Sequence, residues 1–336
     1  MRIGIVDSVA TAAQFLQRLV AVNPANRVVW IAPNGATALA LCKNQTPDLI
    51  LMSMMMPAMD GVETTRRIMA STPCAILIVT GSLRANANRV FEAMGHGALD
   101  AVDMPLPGAG TIEEAARPLL SKIATISRLV SDRAGRRPAT AVDPTSLPRR
   151  NDPLVAIGAS AGGPAVLASL LRDLPKDFPA AVVIVQHVDE QFAAGMAAWL
   201  NEGAALHVRV AREGDRPTVG EVLLAASGDH LTLKTADCVG YTACPTDYVY
   251  RPSVDVFFHS ACRLWPGDIV GVLLTGMGRD GALGLKALRD KGHHTIAQDQ
   301  ATSAVYGMPK AAAEINAAVD ILPAGRIAWK LIQMLT

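Results

Sequence analysis

A change of rhythm, repeated along the chain, limits what this sequence can fold into more than any other feature. Between residue 2 and about 130, the apolar runs RIGIV, RVVWIA, DLILM, CAILIV and ALDAV alternate with helical periodicity near residues 10–22, 34–45, 61–71, 84–95 and 111–130. Short apolar runs bounded by turn signals read as strands buried on both faces. Strands alternating with helices build a parallel sheet, because a parallel partner is reached only through a crossover that lays a helix on the sheet. The expected class is α/β, doubly wound, with a first domain over residues 1–130.

The rhythm stops at DRAGRRPATAVDPTSLPRRNDP, which is rich in proline, arginine and small residues and carries no periodicity. Residues 131–152 therefore read as a linker. The alternation then resumes with LVAIG, AAVVIVQ, LHVRVA, DIVGVLLTG, HTIAQ and VDIL, so residues 153–336 form a second, mostly parallel doubly wound domain. The stretch 219–243 reads instead as strands joined by tight polar turns, and an antiparallel hairpin is expected there.

With 336 residues, the chain can bury two cores. Only 18% of its residues are charged, against about 25% in typical soluble domains, which fits sheets covered on both faces. A net charge of +1 gives no basic groove for nucleic acid. The arginines that do cluster, Arg133, Arg136, Arg137, Arg149 and Arg150, fall in the linker. The five cysteines (Cys42, Cys74, Cys238, Cys244 and Cys262) form no C-x-x-C pair, which argues for a reducing compartment and against structural zinc. MRIGIVD reads as a strand rather than a signal peptide, and no apolar run is long enough to enter a membrane. A cytoplasmic protein is expected.

Doubly wound folds collect ligands at the carboxyl ends of their strands. Three such ends carry reactive side chains. In VAIGASAGGP, the residues Gly158, Ala159, Ser160, Ala161 and Gly162 spell G-x-S-x-G, small enough to turn sharply from strand to helix and raise a serine among backbone N–H groups. By itself Ser160 also reads as a helix N-cap, or the glycines as a phosphate cradle. VVIVQHV delivers His187 to a strand tip, where a satisfied polar residue is the plainer reading. GVLLTGMGRDGA carries Asp280 in a glycine loop, where a turn aspartate is the plainer reading. Together they supply a nucleophile, a base and a carboxylate to orient the base. The order Ser, His, Asp differs from the Ser, Asp/Glu, His order of α/β-hydrolases. An esterase of that type would need His293 or His294 with Asp255 or Asp280.

At these residues the chain resembles a known family. IGASAGGP, QHV, YVYRPSVDVFF, LLTGMGRDGA and AQDQATSAVYGMP resemble the signature blocks of CheB, the protein-glutamate methylesterase of bacterial chemosensory systems. MRIGIV, CAILIVT and RVFEAMGHGALDAV are similar to the WspF-like type of a surface-sensing pathway. The resemblance spans nearly the whole chain and implies hydrolysis of γ-glutamyl methyl esters on chemoreceptor helices, with glutamine deamidation as an associated activity. Methyl-accepting chemoreceptors, and a chemosensory histidine kinase, are the implied partners. Carried over by motif, Ser160 is the nucleophile, His187 the base and Asp280 its orienter, with backbone N–H groups at Ala161 and Met277 as oxyanion donors. Arg251 either meets the acidic receptor surface or simply precedes Pro252 at a helix start. No cofactor is implied.

The first domain resembles a flavodoxin-like response-regulator receiver. Receivers phosphorylate an aspartate after the third strand, hold Mg²⁺ with acids after the first, and neutralise the phosphate with a lysine after the fifth. Here PDLILMSMMMPAMDG puts Ser53 at the acceptor position, IVDSVA keeps Asp7 but has Ser8 for the second acid, and DAVDMP puts Met104 at the lysine position; Thr80 alone keeps the usual hydroxyl. Asp60 reads as a turn residue. Serine and methionine replace neither carboxylate nor ammonium, so Mg²⁺ binding and the phosphorylation switch are expected to be lost. In the family this domain covers the esterase cleft until phosphorylated. A degenerate receiver implies activity set by the resting contact or by a protein partner.

Overall fold

The structure, a computed structural model, describes residues 1–83, 85–105, 111–131 and 152–336. The linker expected over 131–152, with its arginines, lies almost wholly outside the described residues. The chain divides into two units, Met1–Arg133 and Ala134–Thr336.

The first unit runs β1 (Arg2–Val6), α1 (Ala10–Ala21), β2 (Arg27–Ala32), α2 (Gly35–Asn44), β3 (Leu49–Ser53), α3 (Gly61–Ser71), β4 (Ala75–Thr80), α4 (Ala87–Gly95), β5 (Asp100–Asp103) and α5 (Ile112–Ser131). Its sheet is parallel, in the order β2-β1-β3-β4-β5. Helices α1 and α5 pack together on one face, and α2, α3 and α4 in sequence on the other. Strands β3 and β4 are apolar at almost every position because both faces are covered. The polar punctuation sets the helix starts: Asn34 accepts the Thr37 N–H at 2.8 Å and Asp60 the Glu63 N–H at 2.9 Å.

The second unit continues with β6 (Leu154–Ala159), α6 (Gly163–Asp173), β7 (Ala181–Gln186), α7 (Glu190–Gly203), β8 (His207–Val210), β9 (Glu221–Leu224), β10 (His230–Leu233) and β11 (Val239–Thr242). It closes with α8 (Val254–Leu264), β12 (Ile269–Leu273), α9 (Ala282–Asp290), β13 (His294–Gln298), α10 (Met308–Glu314), β14 (Asp320–Leu322) and α11 (Ala324–Leu335). The seven-stranded sheet runs β14-β13-β12-β6-β7-β9-β8, every neighbouring pair parallel. The antiparallel element expected over 219–243 is the separate β10–β11 pair. Strand β9, from the same stretch, joins the parallel sheet, and its run Val222, Leu223, Leu224 is fully buried, as a strand covered on both faces requires.

Order in the sheet fixes where chemistry can sit. The chain leaves β6 toward β7 on one side and returns to β12 on the other, so a crevice opens beyond the carboxyl ends of β12, β6 and β7. Helix α8 packs over these strands and against α9. Its Phe257 and Phe258 are fully buried, a burial that contributes roughly 1.5–3 kcal/mol per side chain. That packing anchors the amino end of α8 beside the crevice. Among the described residues, no helix is long and apolar enough to cross a membrane.

Candidate active site

Ser160 and His187 each stand one residue beyond a paired strand. The β6–β7 register matches Ala159 with Gln186, and the His187 N–H donates to the Ala159 carbonyl at 3.0 Å. The two residues are thus lateral neighbours, at a strand spacing of about 4.8 Å. On the other side of β6, the Ser160 N–H donates to the Thr275 carbonyl at 3.0 Å, which binds the serine to the loop after β12. Buried Gln186 holds the corner, its amide donating to the carbonyls of Ser160 at 3.0 Å and His187 at 3.1 Å.

The N-cap reading of Ser160 does not hold, because Gly162 occupies the cap of α6 and the serine hydroxyl makes no hydrogen bond. The tight turn falls on Gly162, whose φ of +82° is left-handed; a Cβ there would stand 2.6 Å from that of Ala304. Ser160 itself is not among the residues with positive φ, unlike the strained serine of a nucleophile elbow.

His187 Nε2 lies 2.7 Å from Asp280 Oδ2. A carboxylate accepts, so Nε2 carries a proton, and Nδ1 is the nitrogen that holds the lone pair whenever the ring is neutral. That Nδ1 is buried and has no hydrogen-bond partner, just as the serine hydroxyl has none. The ring is stacked on Tyr250, centroids 3.8 Å apart and planes 20° from parallel.

Asp280 is held from several directions. Oδ1 accepts the Ser253 hydroxyl at 2.8 Å, the Asp255 N–H at 3.0 Å and the Gly281 N–H at 3.1 Å; Oδ2 accepts the Val254 N–H at 2.7 Å as well as His187. The carboxylate therefore sits on the amino end of α8, where free N–H groups and the helix dipole favour negative charge. Burial pushes its pKa up, but the His187 hydrogen bond and charge, with the α8 N–H and Ser253 donors, outweigh this and hold it below the usual carboxylate value. Its neighbour Asp255 goes the other way. Burial first, and the Asp280 charge second, push it up to about 8, against the pull of the amides at the start of α9, including Gly284 N–H at 2.7 Å. One carboxyl is ionised and the adjacent one holds its proton.

The loop after β12 completes the pocket. The Thr275 hydroxyl donates to the Ala161 carbonyl at 2.9 Å, which fixes that peptide. Gly276 approaches so closely that an added Cβ would lie 2.7 Å from Ser160 Cβ. Among the described residues, neither the Ala161 nor the Met277 N–H donates a hydrogen bond.

The α/β-hydrolase alternative is overturned by position. His293 and His294 stand at the amino end of β13, the opposite end of the parallel strands from Ser160; His294 pairs with Asp320 at 2.8 Å, and His293 Nδ1 accepts the Ile269 N–H at 3.3 Å. Arg251 precedes Pro252 just ahead of α8. Helix α8 begins at Val254 with Ser253 as its cap, so Pro252 precedes the helix, and the guanidinium donates to the Thr246 carbonyl at 3.0 Å. Sequence reasoning missed Ser253, Tyr250, Gln186 and the protonated Asp255; the one available signal was the S-V-D capping pattern after Pro252.

In the first unit, β3 ends at Ser53. Asp7 Oδ1 accepts the Val9 N–H at 2.8 Å, and burial raises this carboxyl above its usual value against the opposing influence of Val9 and Ser53. The Thr80 hydroxyl accepts from Asn86 at 2.9 Å, and the Met104 N–H donates to the Thr80 carbonyl at 2.7 Å. Ser8 is half-buried beside Asp7. Asp60 caps α3 and pairs with Arg89. One carboxyl, three hydroxyls and a thioether do not fit Mg²⁺, which needs oxygen donors in near-octahedral array. Among the described residues, no group of three or more His, Cys, Asp or Glu could hold a metal ion.

The CheB methylesterase family model matches residues 155–331, and that of the response regulator receiver domain matches residues 3–115. A protein-glutamate methylesterase/protein-glutamine glutaminase of Pseudomonas savastanoi pv. phaseolicola is 57% identical over 336 residues, covering 100% of both chains. A similarly named protein of Pseudomonas putida is 58% identical over 333 residues, covering 99% of each. Among solved structures, the CheB methylesterase catalytic domain of Thermotoga maritima aligns with a TM-score of 0.53 at 34% identity, over 55% of this chain and 99% of that one.

Proposed function

The chain belongs to the CheB methylesterase family, and from that premise we propose that it hydrolyses glutamate methyl esters through Ser160, His187 and Asp280. The observation that carries this is the pair of unpartnered buried atoms, Ser160 Oγ and His187 Nδ1, on neighbouring strand ends, with Asp280 already bonded to the far side of the imidazole.

Ser160 Oγ attacks the ester carbonyl carbon while His187 Nδ1 takes its proton. Asp280 receives no proton; it steadies the imidazolium that forms and keeps Nδ1 turned to the serine. The N–H groups of Ala161 and Met277 supply hydrogen bonds to the developing oxyanion. The tetrahedral intermediate breaks its bond to methoxide, which leaves as methanol with the proton from Nδ1. Water, deprotonated by the same nitrogen, then hydrolyses the acyl-enzyme to glutamate. A γ-carboxamide enters the same sequence with ammonia as leaving group, which accounts for a glutaminase activity. The nitrogen assignment reverses the more familiar arrangement, in which Nε2 faces the nucleophile, but the chemistry needs only one protonated and one bare nitrogen.

Methylated cytoplasmic helices of chemoreceptors are the partner class we assign, with Arg251 at the rim offering a positive charge toward acidic side chains. Methanol release from methylated receptor tests the reading. Wild type should release it and Ser160→Ala should not; equal release by both would overturn the assignment.

The receiver unit, on this reading, is not switched by aspartyl phosphorylation. The support is the residue set: Ser53 ends β3 with a hydroxyl at the acceptor position, and Ser8 and Met104 stand where an acid and a lysine are expected. Acetyl phosphate with Mg²⁺ should leave both the intact mass and the rate of methanol release unchanged. A phosphoryl adduct accompanied by a faster rate would reverse this conclusion.

A further inference from the structure

Asp280 is gripped by a network that ends on a second buried histidine. We propose that His230 is a positioning residue for the reaction, holding through the Ser253 peptide the carboxylate that orients His187. The inference rests on the roles given above to Ser160, His187 and Asp280.

His230 opens β10 and is completely buried. Its Nε2 faces the Pro245 carbonyl at 2.9 Å, and its Nδ1 faces the Ser253 N–H at 3.1 Å. A carbonyl can only accept and a backbone N–H can only donate. A single species satisfies both, the neutral ring with its proton on Nε2. Ser253 is where this grip meets the active site. Its hydroxyl donates to Asp280 Oδ1 at 2.8 Å and accepts the Val256 N–H at 3.3 Å, while the next two peptides donate to both oxygens of Asp280. Fixing the Ser253 peptide therefore fixes three of the donors that aim the carboxylate.

The surroundings keep the ring neutral. Burial and the positive charge of Arg251 oppose a second proton, outweighing the Pro245 carbonyl and the negative charges of Asp280 and Asp229. Tyr248 packs edge-on against the ring, centroids 5.8 Å apart. The hairpin has other anchors on α8. Leu231 and Leu233 lie in the buried core with Phe257 and Phe258, and the Leu233 N–H donates to the Ser260 hydroxyl at 3.0 Å. Losing the imidazole should therefore loosen Ser253 more than it undocks β10.

Two variants separate acceptor from bulk. His230→Ala leaves the Ser253 N–H without an acceptor, whereas the side-chain oxygen of His230→Asn stands near the place of Nδ1. His230→Ala should lower kcat for methanol release by about 10- to 100-fold, as a small misplacement of an orienting group does. KM should stay within about twofold, because substrate binding is untouched. His230→Asn should recover most of the loss. The downfield Nε2 proton of His187, read by proton NMR, should survive in wild type and His230→Asn and broaden in His230→Ala. A folded His230→Ala with wild-type kcat and an intact resonance overturns the proposal, as does a His230→Asn no better than His230→Ala. If His230→Ala does not fold, nitrogen shifts of His230 in the wild type decide, since a proton on Nδ1 between pH 6 and 8 refutes the assignment. If wild type shows no Ser160-dependent methanol release, the reaction assignment falls while the His187 resonance still decides the positioning.

Discussion

Replacing Asp280 by asparagine tests whether the carboxylate sets the histidine tautomer. Five donors converge on it: the Ser253 hydroxyl and the N–H groups of Asp255 and Gly281 on Oδ1, and the Val254 N–H and His187 Nε2 on Oδ2. An ionised carboxylate accepts from all of them, but an amide has one accepting oxygen. Turned to keep the three Oδ1 donors, the introduced amide would aim its NH₂ at Val254 N–H and at His187. The imidazole can answer by moving its proton to Nδ1, so that Nε2 accepts from the amide. An N–H then faces Ser160 and the base is lost. The equivalent substitution in a serine protease costs about 10⁴-fold in kcat, or about 5.5 kcal/mol of transition-state stabilisation, and a loss of that order is expected here. The stranded Val254 N–H should cost about 1–3 kcal/mol of stability. Methanol release under saturating methylated receptor gives the first number and urea unfolding the second. A folded Asp280→Asn enzyme within about tenfold of the wild-type kcat would refute the tautomer argument.

Gly276→Ala should inactivate without unfolding. Its Cβ would stand 2.2 Å from Met308 Sδ and 2.7 Å from Ser160 Cβ. The thioether can swing aside but the serine cannot, and a displacement near 1 Å should lower kcat about 100-fold; an unchanged kcat would refute the close approach. Asp255→Asn should alter the pH dependence of stability. The folded carboxyl holds its proton up to about 8, whereas the unfolded one releases it near pH 4. The wild type therefore loses stability as pH rises between those limits, and the variant does not. The variant's stability relative to wild type should rise steadily from pH 5 to 8, read from urea midpoints; a constant difference would show that Asp255 is ionised in the folded state.

The sheets were legible because each strand buried on both faces is written as an unbroken apolar run; Ser160 and His187 stand out because each follows such a run at its carboxyl end, and Asp280 because it sits in the glycine loop after β12. Strand β9 was harder, since Val222–Leu224 is short and lies beside polar turns that resemble the hairpin next to it. Ser253 and His230 left no comparable mark. Ser253 reads as an ordinary helix cap, and its hydroxyl reaches Asp280 only because α8 and α9 pack together. Which imidazole nitrogen bonds Asp280 depends on the direction from which β12's loop approaches, and no spacing in the chain records that. The protonated state of Asp255 likewise arises from burial next to another carboxyl far along the sequence.

The separation of Ser160 from His187 is set by the ladder between β6 and β7, and the chain that joins them over the top, through α6, plays no part in measuring it. Nature or an engineer can therefore lengthen, trim or even cut that connection at its exposed Lys176–Asp177 tip and join the old termini elsewhere. As long as the two strands still zip together, the reactive pair reassembles at the same spacing.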